Sequence, residues 1–169
     1  MAKIQMAAPR DADLIYRHLM KVSGQTNNLS YSQKDVHKYL NEIKISDRMR
    51  DDSIAVSFVA YENEEIVGLA QLRRSALPRY TNRGELAVSV DQDFQSQGIG
   101  SQLIEEVLDW ATQEWQLHGI YLDVLSGNLR AIDLYKKYGF KIVGDLPLLM
   151  TISGRDVAGK RMFKELKND

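Results

Sequence analysis

ELAVSVDQDFQSQGIGS, residues 85–101, is the stretch whose reading decides the fold. Glu85 to Val90 reads as a strand, Asp91 to Gln97 as a polar connection, and Gly98-Ile99-Gly100 as the start of a helix of about five turns. Ile99, Leu103, Val107, Leu108 and Ala111 form that helix's apolar stripe. The first turn of a helix carries unpaired N–H groups and roughly half a positive charge from the macrodipole. Glycines there let a ligand's phosphates come close to the backbone. Main-chain donors from Ser96 to Ser101 would then hold a pyrophosphate. The nucleoside-triphosphate pattern is excluded, because Gly100 is followed by Ser101 and Gln102 and not by Lys and Ser/Thr. The dinucleotide pattern fails at its third glycine, which is Leu103. Two glycines at an ordinary tight turn remain the alternative reading of these residues alone.

Upstream, Ile4–Ala8 is a strand that Pro9 closes, and Asp11–Val22 is a helix with Asp11 as N-cap and Leu14, Ile15, Leu19 and Val22 on one side. Ser23–Tyr31 is a polar loop. Ser32–Ile45 is expected as a second helix that groups Val36, Tyr39, Leu40 and Ile43. Ile54–Tyr61 and Ile66–Arg73 form a hairpin about Glu62–Glu65, and Arg74–Arg83 is a longer connection. Downstream, Ile120–Leu125 is a strand. Asn128–Tyr138 is a helix capped by Asn128 and ended by Gly139. Phe140–Val143 begins another strand and Lys160–Leu166 is the last. Strands dominate early and strand–helix units late, which gives an α+β or mixed α/β class around one central sheet.

A chain of 169 residues fits a single domain, residues 1–169, with enough length for a real core. Its 22 basic and 23 acidic residues leave a net charge of -1, so no bulk field recruits nucleic acid or an anionic membrane, and neither is an expected partner. The absence of cysteine removes disulfides, thiolate metal sites and a cysteine nucleophile together. His18, His37 and His118 show no metal spacing and are read as surface or boundary residues, so no metal is expected. No apolar run approaches a membrane span of roughly 18 residues, and no signal-peptide core opens the chain. A cytoplasmic protein is the expectation.

Gln95-x-x-Gly98-x-Gly100 resembles the Arg/Gln-x-x-Gly-x-Gly/Ala signature of the GNAT superfamily of N-acetyltransferases. AVSVDQDF before it resembles the end of that family's fourth strand. Ser126-Gly127-Asn128, Tyr135 and Gly139-Phe140 resemble its second motif. The detailed match spans residues 85 to 143, roughly a third of the chain. The resemblance implies a mostly antiparallel sheet of about seven strands, splayed between the fourth and fifth and flanked by about four helices. It implies acetyl-CoA as co-substrate, held by Val88, Ser89 and Val90 on the splayed strand. The turn from Gln95 through Ser96, Gln97, Gly98, Ile99 and Gly100 to Ser101 would hold it too, together with Asn128 and Tyr135. By the same resemblance Tyr135 protonates the departing thiolate. One N–H among residues 88–90 would polarise the thioester carbonyl. Asn128 and Tyr135 lie seven apart, so both project from nearly one side of a helix, with Tyr138 about 60° further round.

The nucleophile must be a neutral amine. A lysine-type ammonium is about 0.1 % neutral near pH 7.4, a handicap of about 4 kcal/mol, whereas a protein α-amine needs far less help. Glu85 and Asp123 are the two candidate bases, with direct loss of the proton to solvent as the third option. The acceptor is an amine on a small molecule or a protein, bounded by Ser23–Tyr31, the helix after it and Leu146–Gly159. Asp145, Asp156 and Glu42 are candidate attractors of a cationic amine. Leu146–Met150 (LPLLM) is open to three readings: a cover over the acceptor channel, a contact in a homodimer, or, most commonly, a buried strand. The rival functions are a non-catalytic acyl-CoA-binding module and a purely structural α/β domain.

Overall fold

The computed structural model describes residues 2–166. Seven strands form one mixed sheet: β1 (Lys3–Met6), β2 (Ala55–Glu62), β3 (Glu65–Arg73), β4 (Arg83–Val90), β5 (Gly119–Leu125), β6 (Lys141–Ile152) and β7 (Arg155–Glu165), in the spatial order β1-β2-β3-β4-β5-β7-β6. Every neighbouring pair is antiparallel except β4 and β5. Among the described residues the α-helices are α1 (Ala12–Gln25), α2 (Gln33–Tyr39), α3 (Glu42–Arg48), α4 (Ile99–Gln113) and α5 (Leu129–Lys137). The β2–β3 hairpin turns at Asn63 and Glu64, both with positive φ, as a two-residue turn matched to strand twist requires.

Two cores sandwich the sheet. On one face Ile15 and Leu19 of α1, Val36 of α2 and Ile45 of α3 pack on Val59, Ile66 and Leu69. On the other, Leu103, Ile104, Val107 and Ala111 of α4 pack on Phe58, Ala60, Val67 and Ala70. Ile104 replaces the half-buried Leu108 at the centre of the expected stripe.

Three local expectations change. The helix over Ser32–Ile45 is two helices, because Asn41 leaves helical geometry and caps α3 by accepting from the Lys44 N–H at 3.2 Å. The break shifts the helical phase, so Ile45 is buried while Tyr39 and Ile43 are 52 % and 73 % exposed. Asp11 does not cap α1 with its side chain; its carboxylate accepts from Ala8 N–H at 2.8 Å and from the Tyr61 hydroxyl. Finally, the two late strands are much longer than foreseen and form one hairpin, β6–β7. Leu146–Met150 lies within β6 at the sheet edge, and none of the five residues is buried. An edge strand has a partner on one side only, which is why the run is not the buried strand that its composition suggests.

Gly68 on β3 is where α4 meets the sheet most closely: a Cβ there would lie 2.9 Å from both Ile99 Cγ2 and Leu103 Cδ1. Gly68→Ala should therefore cost about 1–3 kcal/mol through overpacking. For a chain of this size that lowers Tm by roughly 2–4 °C per kcal/mol. Gly144→Ala, at a position with nothing within 4 Å of a Cβ, is the matched control for thermal unfolding. Equal Tm values for the two variants would refute the close approach of α4.

Candidate active site

The site begins with a defect in main-chain pairing. β4 pairs with β3 from Glu85 to Val90, but with β5 only at Arg83–Glu85 against Gly119–Tyr121. Beyond that point the two strands part. The Asp91 N–H donates to Val67 O on the β3 side at 2.8 Å. Alternation along a strand then directs the N–H groups of Val88 and Val90 into the opening and that of Ser89 back toward β3. Of the three expected residues, two present donors to the gap and the third faces away with its main chain.

Two cavities enter this opening from opposite ends. One, of about 520 Å³, runs from Gln95, Ser96 and Gly98 past Ser101 and Arg130 to Val88 and Tyr135. The other, of about 320 Å³, lies between β4 and β5 and is walled by Tyr31, Arg73, Glu85, Asp123, Arg161 and Tyr135 among others. Both reach Val88, Ser89, Asn128 and Tyr135, so those residues stand where the cavities meet.

The long cavity ends on the expected turn. Gly98 has φ 80° and serves as N-cap of α4 without any side-chain cap. A Cβ at Gly98 would meet nothing within 4 Å, and the first turn of α4 holds no acidic residue. Unpaired N–H groups thus face open space at the positive end of a helix, a fit for an anion such as a pyrophosphate. Ser96 also has positive φ, 63°. Gln95 bridges the turn to its neighbours, donating to Val90 O at 3.4 Å and accepting from Arg130 at 2.8 Å. Arg130 also donates to Ser96 Oγ at 2.9 Å. Gln97 is exposed beside them.

On α5, Asn128 accepts from Ala131 N–H at 3.4 Å, so it caps the helix while its side chain lines both cavities. Tyr135 is 7 % exposed and packs edge-on against Phe140, ring centroids 5.8 Å apart. Its hydroxyl has no partner among the described residues, and burial pushes its pKa up to about 12. It is a neutral phenol, able to donate a proton throughout the ordinary pH range. Tyr138 is committed elsewhere: its hydroxyl donates to Glu105 Oε1 at 2.8 Å, outside both cavities.

The two candidate bases differ. Asp123 accepts from Arg161 Nε at 2.8 Å and Nη2 at 3.0 Å, a bidentate pair that occupies both carboxylate oxygens. Glu85 lines the same cavity, and its carboxylate makes no hydrogen bond or close ion pair among the described residues, though it acts on the Arg161 charge from a distance. The loop residues Asn28 to Tyr31 line the cavity as expected, but α2 and residues 146–159 do not. Asp145 pairs with Lys160, Asp156 accepts from Thr151 at 2.9 Å, and Glu42 opens α3; none of the three touches either cavity.

Behind β4 lies a polar network that the sequence did not reveal. His18 is 2 % exposed, not a surface residue, and its Nε2 lies 2.9 Å from Ser89 Oγ. Burial pushes its pKa down to about 4, against the opposing pull of the Asp91 carboxylate. Asp91, itself buried, pairs with Lys21 and accepts from Gln25 and from the Asp93 N–H, both at 3.0 Å. Burial would raise the Asp91 pKa, but these partners more than offset that and hold it below the usual carboxylate value. Arg130 is the clearest omission of the sequence reading. A cation in the first turn of α5 opposes the helix dipole, and that conflict is the signal that could have marked it.

Among the described residues no cluster of His, Cys, Asp or Glu is placed to hold a metal ion, and no helix is long and apolar enough to cross a membrane. The chain is similar to the spermidine N(1)-acetyltransferase of Vibrio cholerae, 26 % identical over 165 residues, covering 96 % of this chain and 92 % of that protein. It is also similar to the L-amino acid N-acetyltransferase of Escherichia coli, 26 % identical over 141 residues, covering 79 % and 86 %. A protein of Salmonella typhimurium solved with acetyl-CoA as its cofactor has the same fold: TM-score 0.84 at 19 % identity, covering 100 % of this chain and 96 % of that one. The family model described as Acetyltransferase (GNAT) family matches residues 20–140. With that match over a splayed β4–β5 pair and a glycine turn at the head of α4, the chain belongs to the GNAT family of acetyl-CoA-dependent N-acetyltransferases.

Proposed function

We propose that the enzyme transfers acetyl from acetyl-CoA to a primary amine by direct attack within a ternary complex. The observation that carries this reading is the meeting of two cavities at Val88 and Tyr135, one leading from the phosphate turn and one from an acceptor pocket. The relatives named above act on spermidine and on L-amino acids, and both are primary amines.

In this reading the pyrophosphate lies on the Ser96–Ser101 main chain with Arg130 alongside, and the pantetheine arm pairs with the open edge of β4 near Val90. Val88 N–H points at the thioester carbonyl oxygen. The neutral amine nitrogen attacks the carbonyl carbon, and the oxygen's developing charge falls on that donor. Collapse of the tetrahedral adduct breaks the C–S bond, and the leaving sulfur takes the Tyr135 proton, which solvent replaces. The proton lost from the amine goes to Glu85. Glu85 and Val88 are three residues apart, about 10 Å along the strand, so the transfer runs through water. Asp123 is the weaker base, because protonating it would break a bidentate guanidinium pair.

Acetyl-CoA affinity measured by calorimetry tests the phosphate turn. Gly98→Val places a branched side chain at φ 80° in the open space and should weaken binding at least tenfold, about 1.4 kcal/mol. Arg130→Met should weaken it several-fold and reduce its dependence on salt. Unchanged affinity in folded Gly98→Val protein would remove the phosphate assignment.

Tyr135→Phe should lower kcat by about 100-fold, about 3 kcal/mol, with KM for acetyl-CoA nearly constant. Tyr138→Phe should lose little, since its hydroxyl is spent on Glu105. Steady-state thiol release by the two variants decides which hydroxyl serves the sulfur. A larger loss at Tyr138 would reverse the assignment.

Glu85→Gln should depress kcat/KM most at pH values below the pKa of the amine, with the deficit shrinking as rising pH deprotonates the amine unaided. Asp123→Asn, which leaves Arg161 unpaired, should show a loss that does not shrink in this way. If Glu85→Gln keeps the wild-type pH profile, Glu85 is not the base.

A further inference from the structure

The acceptor cavity is walled by four charged side chains: Arg73, Glu85, Asp123 and Arg161. Two of them satisfy each other, since the Arg161 guanidinium spends Nε and Nη2 on both oxygens of Asp123 at 2.8 and 3.0 Å. The other two face one another across β3 and β4, where Arg73 and Glu85 are directly opposite in register. Despite that register the Arg73 guanidinium makes no ion pair with Glu85 and no hydrogen bond among the described residues. A guanidinium has five N–H donors in a planar fork suited to a carboxylate, and here the whole fork is unspent.

Tyr31 adds a second free donor. It stands in the same wall, its hydroxyl without a partner among the described residues. Burial pushes its pKa up to about 12, only partly countered by the positive field of Arg73, so the phenol stays protonated. A phenol donor and an unspent guanidinium in one wall form an anion-binding pair. Glu85, next to them, has a carboxylate that makes no hydrogen bond among the described residues and feels the Arg161 charge only at a distance, so it is suited to the opposite charge. The charge of the wall is thus arranged as a separated plus and minus, not as the accumulation of carboxylates that a polycation would need.

We infer that the acceptor is an amine bearing a carboxylate close to the reacting nitrogen, of the α-amino acid class, with the carboxylate held by Arg73 and Tyr31 and the amine presented between Glu85 and Val88. This assignment rests on reading the smaller cavity as the acceptor site. Arg73 stands level with Glu85, about 10 Å along the strand from Val88, so its extended side chain and a compact zwitterion together span the distance to the thioester. A polyamine would instead bring its further ammonium groups against Arg73, the guanidinium of this wall whose charge Asp123 does not offset, in a partly desolvated pocket where like charges repel most.

The test is steady-state thiol release from acetyl-CoA with free L-amino acids, their α-amides and spermidine, using wild type, Arg73→Met and Arg73→Lys. Wild type should prefer each acid over its amide by at least tenfold in kcat/KM, carried mainly by KM. Arg73→Met should abolish that preference and Arg73→Lys should restore part of it. Calorimetric binding of acetyl-CoA checks that each variant is folded. Amides or spermidine equal to or better than the acids in wild type would overturn the inference and leave the amine reading standing. An acid preference that survives Arg73→Met would overturn it too. Thiol release with no amine at all would overturn the amine reading, and this inference with it.

Discussion

Everything in the site depends on strand β4 being hydrogen-bonded from Glu85 to Val90 on one side and for only three residues on the other. Unpaired main-chain N–H and C=O groups inside a fold are costly unless water or a ligand meets them. Past Glu85 and Tyr121 each strand keeps its main-chain partner only on the side away from the gap. β4 is held by β3 from Glu85 to Val90, and β5 by β7 from Gly119 to Leu125. The open edge is therefore a stable feature, and an extended arm such as pantetheine can complete it as an added strand would.

The outer end of β4 is fixed from behind by α1. His18 meets Ser89, Lys21 and Gln25 meet Asp91, and Gln25 also accepts the Gln92 N–H at 2.9 Å. One helix thereby sets both the open stretch of β4 and the connection that leads into the glycine turn at the head of α4. Buried polar groups serve such a purpose only when their partners are present. Removing the Asp91 carboxylate would strand several donors at once. The rigidity of the splay thus has an electrostatic part, lodged on the face of the sheet opposite α4.

The central motif was legible because its signals are local. A glycine that needs positive φ at Gly98, an apolar stripe of period 3.6 along α4, and a capping asparagine at Asn128 each act through neighbours in sequence. What escaped the sequence depends on distant partners. His18 carries no mark of burial until α1 is laid against Ser89. Arg161 and Asp123 lie 38 residues apart and become a pair only through β5–β7 register. The helix break at Asn41 was hidden because the apolar spacing on either side continues across it. β6 runs as one strand through Gly144 and Pro147, residue types that usually interrupt a strand, because both sit where it changes register against β7. The fold class, the splay and the glycine turn at the head of α4 could be read, whereas the pairing of the charges that wall the smaller cavity could not.

Pro147 has a consequence beyond the shape of its hairpin. β6 is one of the two outermost strands of the sheet, twelve residues long, with Val143 and Leu148 55 % and 58 % exposed. A strand of that length and character is a template on which another chain could zip and a fibre could grow. Proline contributes no N–H, and the register shift between Leu146 and Met150 bends the backbone at the same place. The outward row of donors is therefore split into two short runs, neither long enough to seed continuous pairing. A residue type that central strands exclude is thus what lets this strand stand at an open edge.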